Sequence, residues 1–162
     1  NMEIIKQLYD INRLFENVDD FVPAYESFLK VSNVELGYRG LEGRLNEYFE
    51  DVRQTAICIA TRGQAGNGDI NFFMSGIKRV KSFMYQEKYQ IEEAIKDASR
   101  AAYLASCFEK GVLAIEKYPK DKPEVVLTME ISDALPTKLR KLRSVIPEAY
   151  YYWAKVDEML KY

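Results

Sequence analysis

The feature that most constrains this chain is the three- and four-residue recurrence of its apolar side chains, which sets a helical rather than an extended backbone. Ile4, Ile5, Leu8, Ile11 and Phe15 form a first stripe, broken at Asp19-Asp20. Pro23 suits the first turn of a second segment carrying Tyr25, Phe28 and Leu29. Leu41, Leu45, Tyr48, Val52, Ala56 and Ile59 make the next stripe, which ends at Arg62-Gly63. After a glycine-rich loop, Asp69 or Asn71 can cap a helix with Phe72, Phe73, Ile77, Val80, Phe83 and Met84 on one side.

The clearest periodicity runs through Ile91, Ile95, Ala98, Ala102, Ala105, Val112 and Ile115, and predicts one helix of more than 20 residues. Its alanines let another backbone approach closely. Tyr118-Pro119-Lys120-Asp121-Lys122-Pro123 stops it. Residues 124–134 read as helical, because a lone strand would find no partner. A last helix is expected from Pro136, with Leu139, Leu142, Ile146, Trp153, Val156 and Leu160 on one face and a kink or restart at Pro147. No strand–helix alternation and no repeat period is visible. The expected architecture is all-α: an antiparallel four- or five-helix bundle in a single domain over residues 2–162.

Composition then narrows the chemistry. The chain has 162 residues and no histidine, which excludes Ser-His and Cys-His nucleophile pairs, His-ligated zinc and the Glu-x-x-His di-iron site. Cys58 and Cys107 are the two cysteines, both within helix-patterned apolar segments, and are expected as buried free thiols. With 23 basic and 25 acidic side chains the net charge is −2, so no global field attracts nucleic acid or lipid. Residues 1–6 carry no secretory-leader pattern, and no run reaches the roughly 18 apolar residues that span a bilayer. A cytoplasmic protein without membrane association is expected.

Four features are candidates for function. In Arg62-Gly63-Gln64-Ala65-Gly66-Asn67-Gly68-Asp69, the residues Arg62, Gly63, Gly66 and Gly68 could form an anion-binding loop before a helix N-terminus. The loop lacks the Gly-Lys-Ser/Thr of a Walker A motif and no strand precedes it, so a plain interhelical loop is the competing reading. Lys138, Arg140, Lys141 and Arg143, with Lys78, Arg79 and Lys81, read as solvated helix faces, with RNA or a protein partner as the alternative. Glu42, Glu47, Glu50 and Asp51, and Glu92 with Glu93, mostly flank the stripes and read as surface carboxylates, with a carboxylate-only magnesium or manganese site as the alternative, so no metal site is expected. Tyr150-Tyr151-Tyr152-Trp153 cannot all face one core from consecutive helical positions, nor can Tyr48-Phe49 or Phe72-Phe73. The quartet is therefore expected as an interface, giving a homo-oligomer, or as a platform for a flat ligand. Gly37, Gly40 and Gly43 read as a loop before the helix beginning near Leu41.

Leu41 to Arg62, with its apolar spacing and Ile59-Ala60-Thr61 ending, resembles the second helix of the ATP:cobalamin adenosyltransferases, where a Leu-x-x-x-Gln-x-x-Leu-Phe pattern leads to Gly-Ala-Asp-Leu-Ala-Thr. Ala98 to Lys117 is similar to that family's alanine-rich, arginine-bearing later helix. Together these cover about a third of the chain. The resemblance implies a ferritin-like bundle, and for an active member ATP with magnesium held at trimer junctions while cob(I)alamin attacks the ribose 5′-carbon. The family's Thr-Arg-Thr-Gly-Asp motif is not in this sequence, and Ser106-Cys107-Phe108-Glu109-Lys110 stands where the family has Arg-Arg-Ala-Glu-Arg. From the residues alone the expectation is a self-associating helical bundle, structural or small-ligand binding, with no catalytic constellation and no cofactor. An adenosyltransferase-like enzyme is the first alternative, and an RNA- or protein-binding module the second.

Overall fold

The computed structural model describes residues 2–38, 45–82 and 89–161, without the side chains of residues 2–4, 35, 36 and 38. Leu41, Gly40, Gly43, Glu42, Phe83 and Met84 lie outside the described residues. The described chain is all-α: α1 (Met2–Asn17), α2 (Val22–Tyr38), α3 (Leu45–Ala60), α4 (Ile70–Lys81), α5 (Ile91–Lys110), α6 (Leu142–Val145) and α7 (Pro147–Leu160), with 3₁₀ turns at Pro123–Leu127 and Thr137–Lys141. Gly37 belongs to α2 rather than to a loop. No described helix is long and apolar enough to cross a membrane.

The architecture is built around α5. It packs against α3, α7 and α1, and α1 also lies against α4. Ala94, Ala98 and Ala102 are fully buried, and their small side chains permit close helix approach, which maximises dispersion contacts. A helix buried on nearly every side must carry its polar groups inward as well, and Asp97, Ser99, Arg100 and Ser106 of α5 are all buried. By contrast α2 reaches the core through rings: Tyr25 meets Phe108 at 5.3 Å, and Phe28 meets Phe49 at 5.6 Å and Phe108 at 5.5 Å between centroids.

Three expectations need correction. The α5 periodicity continues to Ile115, but the helix stops at Lys110. There Gly111 takes φ 68°, its N–H bonds Phe108 O, and the Val112 N–H bonds Cys107 O. That paired pattern satisfies the last carbonyls and turns the chain away. Residues 124–134 are not a continuous helix. One 3₁₀ turn at Pro123–Leu127 is followed by irregular chain to Pro136, held from outside by Asp157 of α7, which accepts from the Ser132 N–H (3.0 Å) and hydroxyl (2.8 Å). Finally, no helix runs on from Pro136. Ile146 adopts φ −138°, ψ 80°, because the ring of Pro147 disfavours an α-helical residue before it, and α7 restarts with Pro147 in its first turn.

Candidate functional site

All four residues of Tyr150-Tyr151-Tyr152-Trp153 are buried, which corrects their assignment to an exposed interface. Consecutive residues do radiate around α7, as geometry demands. What the periodicity could not register is that residues 112–146 wrap the side of α7 away from α5. The tyrosine hydroxyls hold that wrapping: Tyr152 Oη accepts from the Tyr118 N–H at 2.9 Å, and Tyr150 Oη donates to Met129 O at 2.7 Å. On α5, Tyr103 Oη accepts from the Glu116 N–H at 2.9 Å. Burial pushes the Tyr152 hydroxyl up to about 12, so it stays a neutral hydrogen-bonding group. The other two aromatic pairs divide as their spacing requires, Phe49 and Phe73 buried and Tyr48 and Phe72 exposed.

In the glycine-rich loop four N–H groups are engaged within the chain: Gly63 with Cys58 O, Gln64 with Thr61 O, Ala65 with Thr61 Oγ1 and Asn67 with Gln54 O. At the N-terminus of α4 the Asp69 carboxylate already accepts from the Asn71 N–H at 2.9 Å and supplies the negative charge that end favours. Arg62 pairs with Glu92 across the surface at 3.4 Å. Gly66 has a packing role. With φ +77°, a Cβ there would lie 2.6 Å from the Cys58 backbone N and closer still to Gln54 O. Gly66→Ala is expected to lose at least about 2 kcal/mol. Gly111→Ala shares the left-handed backbone but meets nothing within 4 Å, and should lose roughly 1 kcal/mol. Urea unfolding of both variants checks the difference, and equal losses would contradict it.

Of the cations singled out in the sequence, Lys78, Lys81, Lys138 and Lys141 are exposed, whereas Arg140 and Arg143 are engaged within the chain. Arg140 bonds Ile131 O and Asp133, while Arg143 reaches Met129 O, the Tyr150 hydroxyl and Glu130. Both therefore fasten the irregular segment to the helices behind it. Glu50 pairs with Arg53, and Glu93 accepts from the Gln90 N–H to close a capping box on α5. Among the described residues no group of three His, Cys, Asp or Glu side chains could hold a metal ion. Cys58 and Cys107 are buried free thiols; burial pushes Cys107 up to about 11 and raises Cys58 as well, which removes them as nucleophiles near neutral pH.

Two buried arginines were not singled out by periodicity. Arg53 of α3 grips Glu50 and Glu109 and reaches the Ser106 hydroxyl. Arg100 of α5 bonds Asn12 and Glu16 of α1 and Glu148 of α7, with its guanidinium 5.5 Å from the Phe15 ring centroid and 5.9 Å from that of Tyr152. The signal that could have found them is the near-absence of a polar face on α5. These are clamps between helices, since every named contact is to the chain itself.

Asp97 gives the cluster a pH dependence. It is 1% exposed, accepts from the Tyr89 hydroxyl at 2.7 Å, and burial lifts its carboxyl from an ordinary 3.8 to about 7. Between those limits the unfolded chain releases the proton and the folded one keeps it. Asp97 therefore contributes stability that is full below 3.8 and is lost as pH rises to about 7, at up to roughly 1.4 kcal/mol per pH unit. In Asp97→Asn that slope should be missing from a pH series of urea midpoints. Matching wild-type and variant slopes would refute the assignment.

Among the described residues an apolar cavity of about 540 Å³ lies between α1, α2, α3 and α5. Ile11 and Leu14 come from α1, Ala24, Ser27, Phe28 and Val31 from α2, Tyr48, Phe49 and Val52 from α3, and Ala101, Leu104, Ala105 and Phe108 from α5. Only Ser27 and Tyr48 bring polar side-chain atoms. Its size falls within the range of small-molecule sites, which are mostly apolar with a few polar groups. The sequence supplied Ile11, Phe28, Tyr48, Val52 and Ala105 as stripe residues of separate helices; their convergence follows from α2 being propped on its rings. Comparison with protein families, with curated proteins and with solved structures finds no match for this chain.

Proposed function

We propose that this protein is a binding module for a small apolar molecule, seated in the cavity between α1, α2, α3 and α5. The observation that carries the reading is that a 540 Å³ space is lined almost wholly by aliphatic and aromatic side chains contributed by four helices. Burying hydrocarbon there is worth about 25 cal/mol per Å² removed from water. Phe28 and Tyr48, 6.0 Å apart between ring centroids, are placed to pack against a ligand together with Phe49 and Phe108.

Nile red, a neutral dye whose emission rises in apolar surroundings, tests the site. Wild type should bind it saturably and gain thermal stability, as any ligand of the folded state must confer. Ala105→Phe places a ring in the cavity from α5 and should weaken binding at least about tenfold (roughly 1.4 kcal/mol), with the helical circular dichroism unchanged. Equal binding by wild type and Ala105→Phe, or none by wild type, would end the proposal.

A further inference from the structure

Resting on the reading of this cavity as a binding site, we infer that α2 is its lid, a helix pinned at Phe21 whose far half swings down over the occupant. The pinned end is built from buried groups. Phe21 is 1% exposed, and its ring lies 5.9 Å from that of Phe15 between centroids. The Lys117 ammonium sits over both rings and donates to Val18 O at 2.9 Å, which fastens the link between α1 and α2. Asp20 Oδ1 accepts from the Val22 N–H at 3.0 Å, so the pivot coincides with the first turn of α2.

Packing falls away from that end. Ala24, Tyr25 and Phe28 rest against the core, but Val31, further along the same stripe, is 61% exposed and Val34 51%. Across the cavity the facing rim is as open, with Leu14 45% and Tyr48 49% exposed. The first turns of α2 are seated ring on ring, Tyr25 against Phe108 and Phe28 against Phe49 and Phe108. Apolar contact is non-directional, so such a seat can slide without breaking. A rotation of about 10° about Phe21 would carry Val34, roughly 20 Å along the helix, by about 3 Å. An apolar occupant favours the closed arrangement, because Leu14, Val31 and Tyr48 then meet hydrocarbon in place of water. That difference in contacts is what a ligand needs to shift a conformational equilibrium.

Distances between nitroxide spin labels on the full chain test the lid. One pair joins Asn33→Cys on α2 to Asp51→Cys on α3, and a second joins Asn33→Cys to Glu158→Cys on α7. All three positions are exposed, while Cys58 and Cys107 are buried and should stay unlabelled. Saturating Nile red should shorten at least one mean distance by about 2–3 Å, the scale of the rotation above. In the Ala105→Phe background the same shortening should need at least about tenfold more dye. Saturable dye binding with neither distance shortened overturns the lid and leaves the cavity as a site. A shortening that Ala105→Phe does not move to higher dye also overturns it, since the dye then acts elsewhere. Absence of Nile red binding to wild type instead removes the underlying reading.

Discussion

Arg100→Leu is expected to destabilise the fold by roughly 3–5 kcal/mol, the range for removing one partner from a buried ionic cluster. The side chain is 3% exposed and ties α5 to α1 through Asn12 and Glu16, and to α7 through Glu148. Burial by itself disfavours its charge, but the Glu16 hydrogen bond and the Glu148 charge more than offset this and leave the guanidinium pKa raised. In return Arg100 holds Glu16 below the ordinary 4.5. Leucine would abandon those acceptors at the junction of three helices. Lysine should rescue little, since one ammonium cannot reproduce a planar fork spread over α1 and α7. The double variant Arg100→Leu with Glu148→Leu should recover part of the loss, because it removes the stranded carboxylate as well. Urea denaturation measures all three; a single-variant loss below about 1 kcal/mol would show that the cluster is not a clamp.

Trp153→Ala carries the other large effect, again roughly 3–5 kcal/mol, from lost transfer energy and the cavity left behind. Trp153 has no exposed surface and is the largest of the fully buried side chains. Its indole N–H has no hydrogen-bond partner among the described residues, so Trp153→Phe forfeits volume but no bond and should lose markedly less. Thermal unfolding of the two variants gives the ordering. If Trp153 were instead an interface residue, both changes would alter sedimentation more than melting temperature, and that result would reverse the burial argument.

Much of the fold was legible because apolar spacing is local. Within the described residues, the stripes expected over 4–15, 41–59 and 72–84 correspond to α1, α3 and α4, and the first part of that over 91–115 to α5. Of the two caps expected for α4 it is Asp69 that accepts the N-terminal bond. Local chemistry also marks the restart at Pro147. The errors share one cause. Val112 and Ile115 keep the helical spacing, yet Gly111 ends α5 and turns that same apolar pattern onto α7. Tyr150 to Trp153 look like surplus aromatic surface only if α7 has one buried side. The candidate site was not legible, since its thirteen lining residues keep helical spacing within each of four helices but nothing in the sequence says that those four faces meet.

By itself, then, the amino-acid order determined that the chain is helical, roughly where the helices begin, and that histidine-dependent chemistry is absent. Those properties depend on neighbours within a turn or two, or on composition. Only the tertiary structure decided that α5 is enclosed, that Arg53 and Arg100 are clamps, that 112–146 covers the tyrosines, and that α2 stands off far enough to leave a cavity. Each depends on which distant residue arrives opposite, and side-chain contact across helices is set by packing rather than by periodicity.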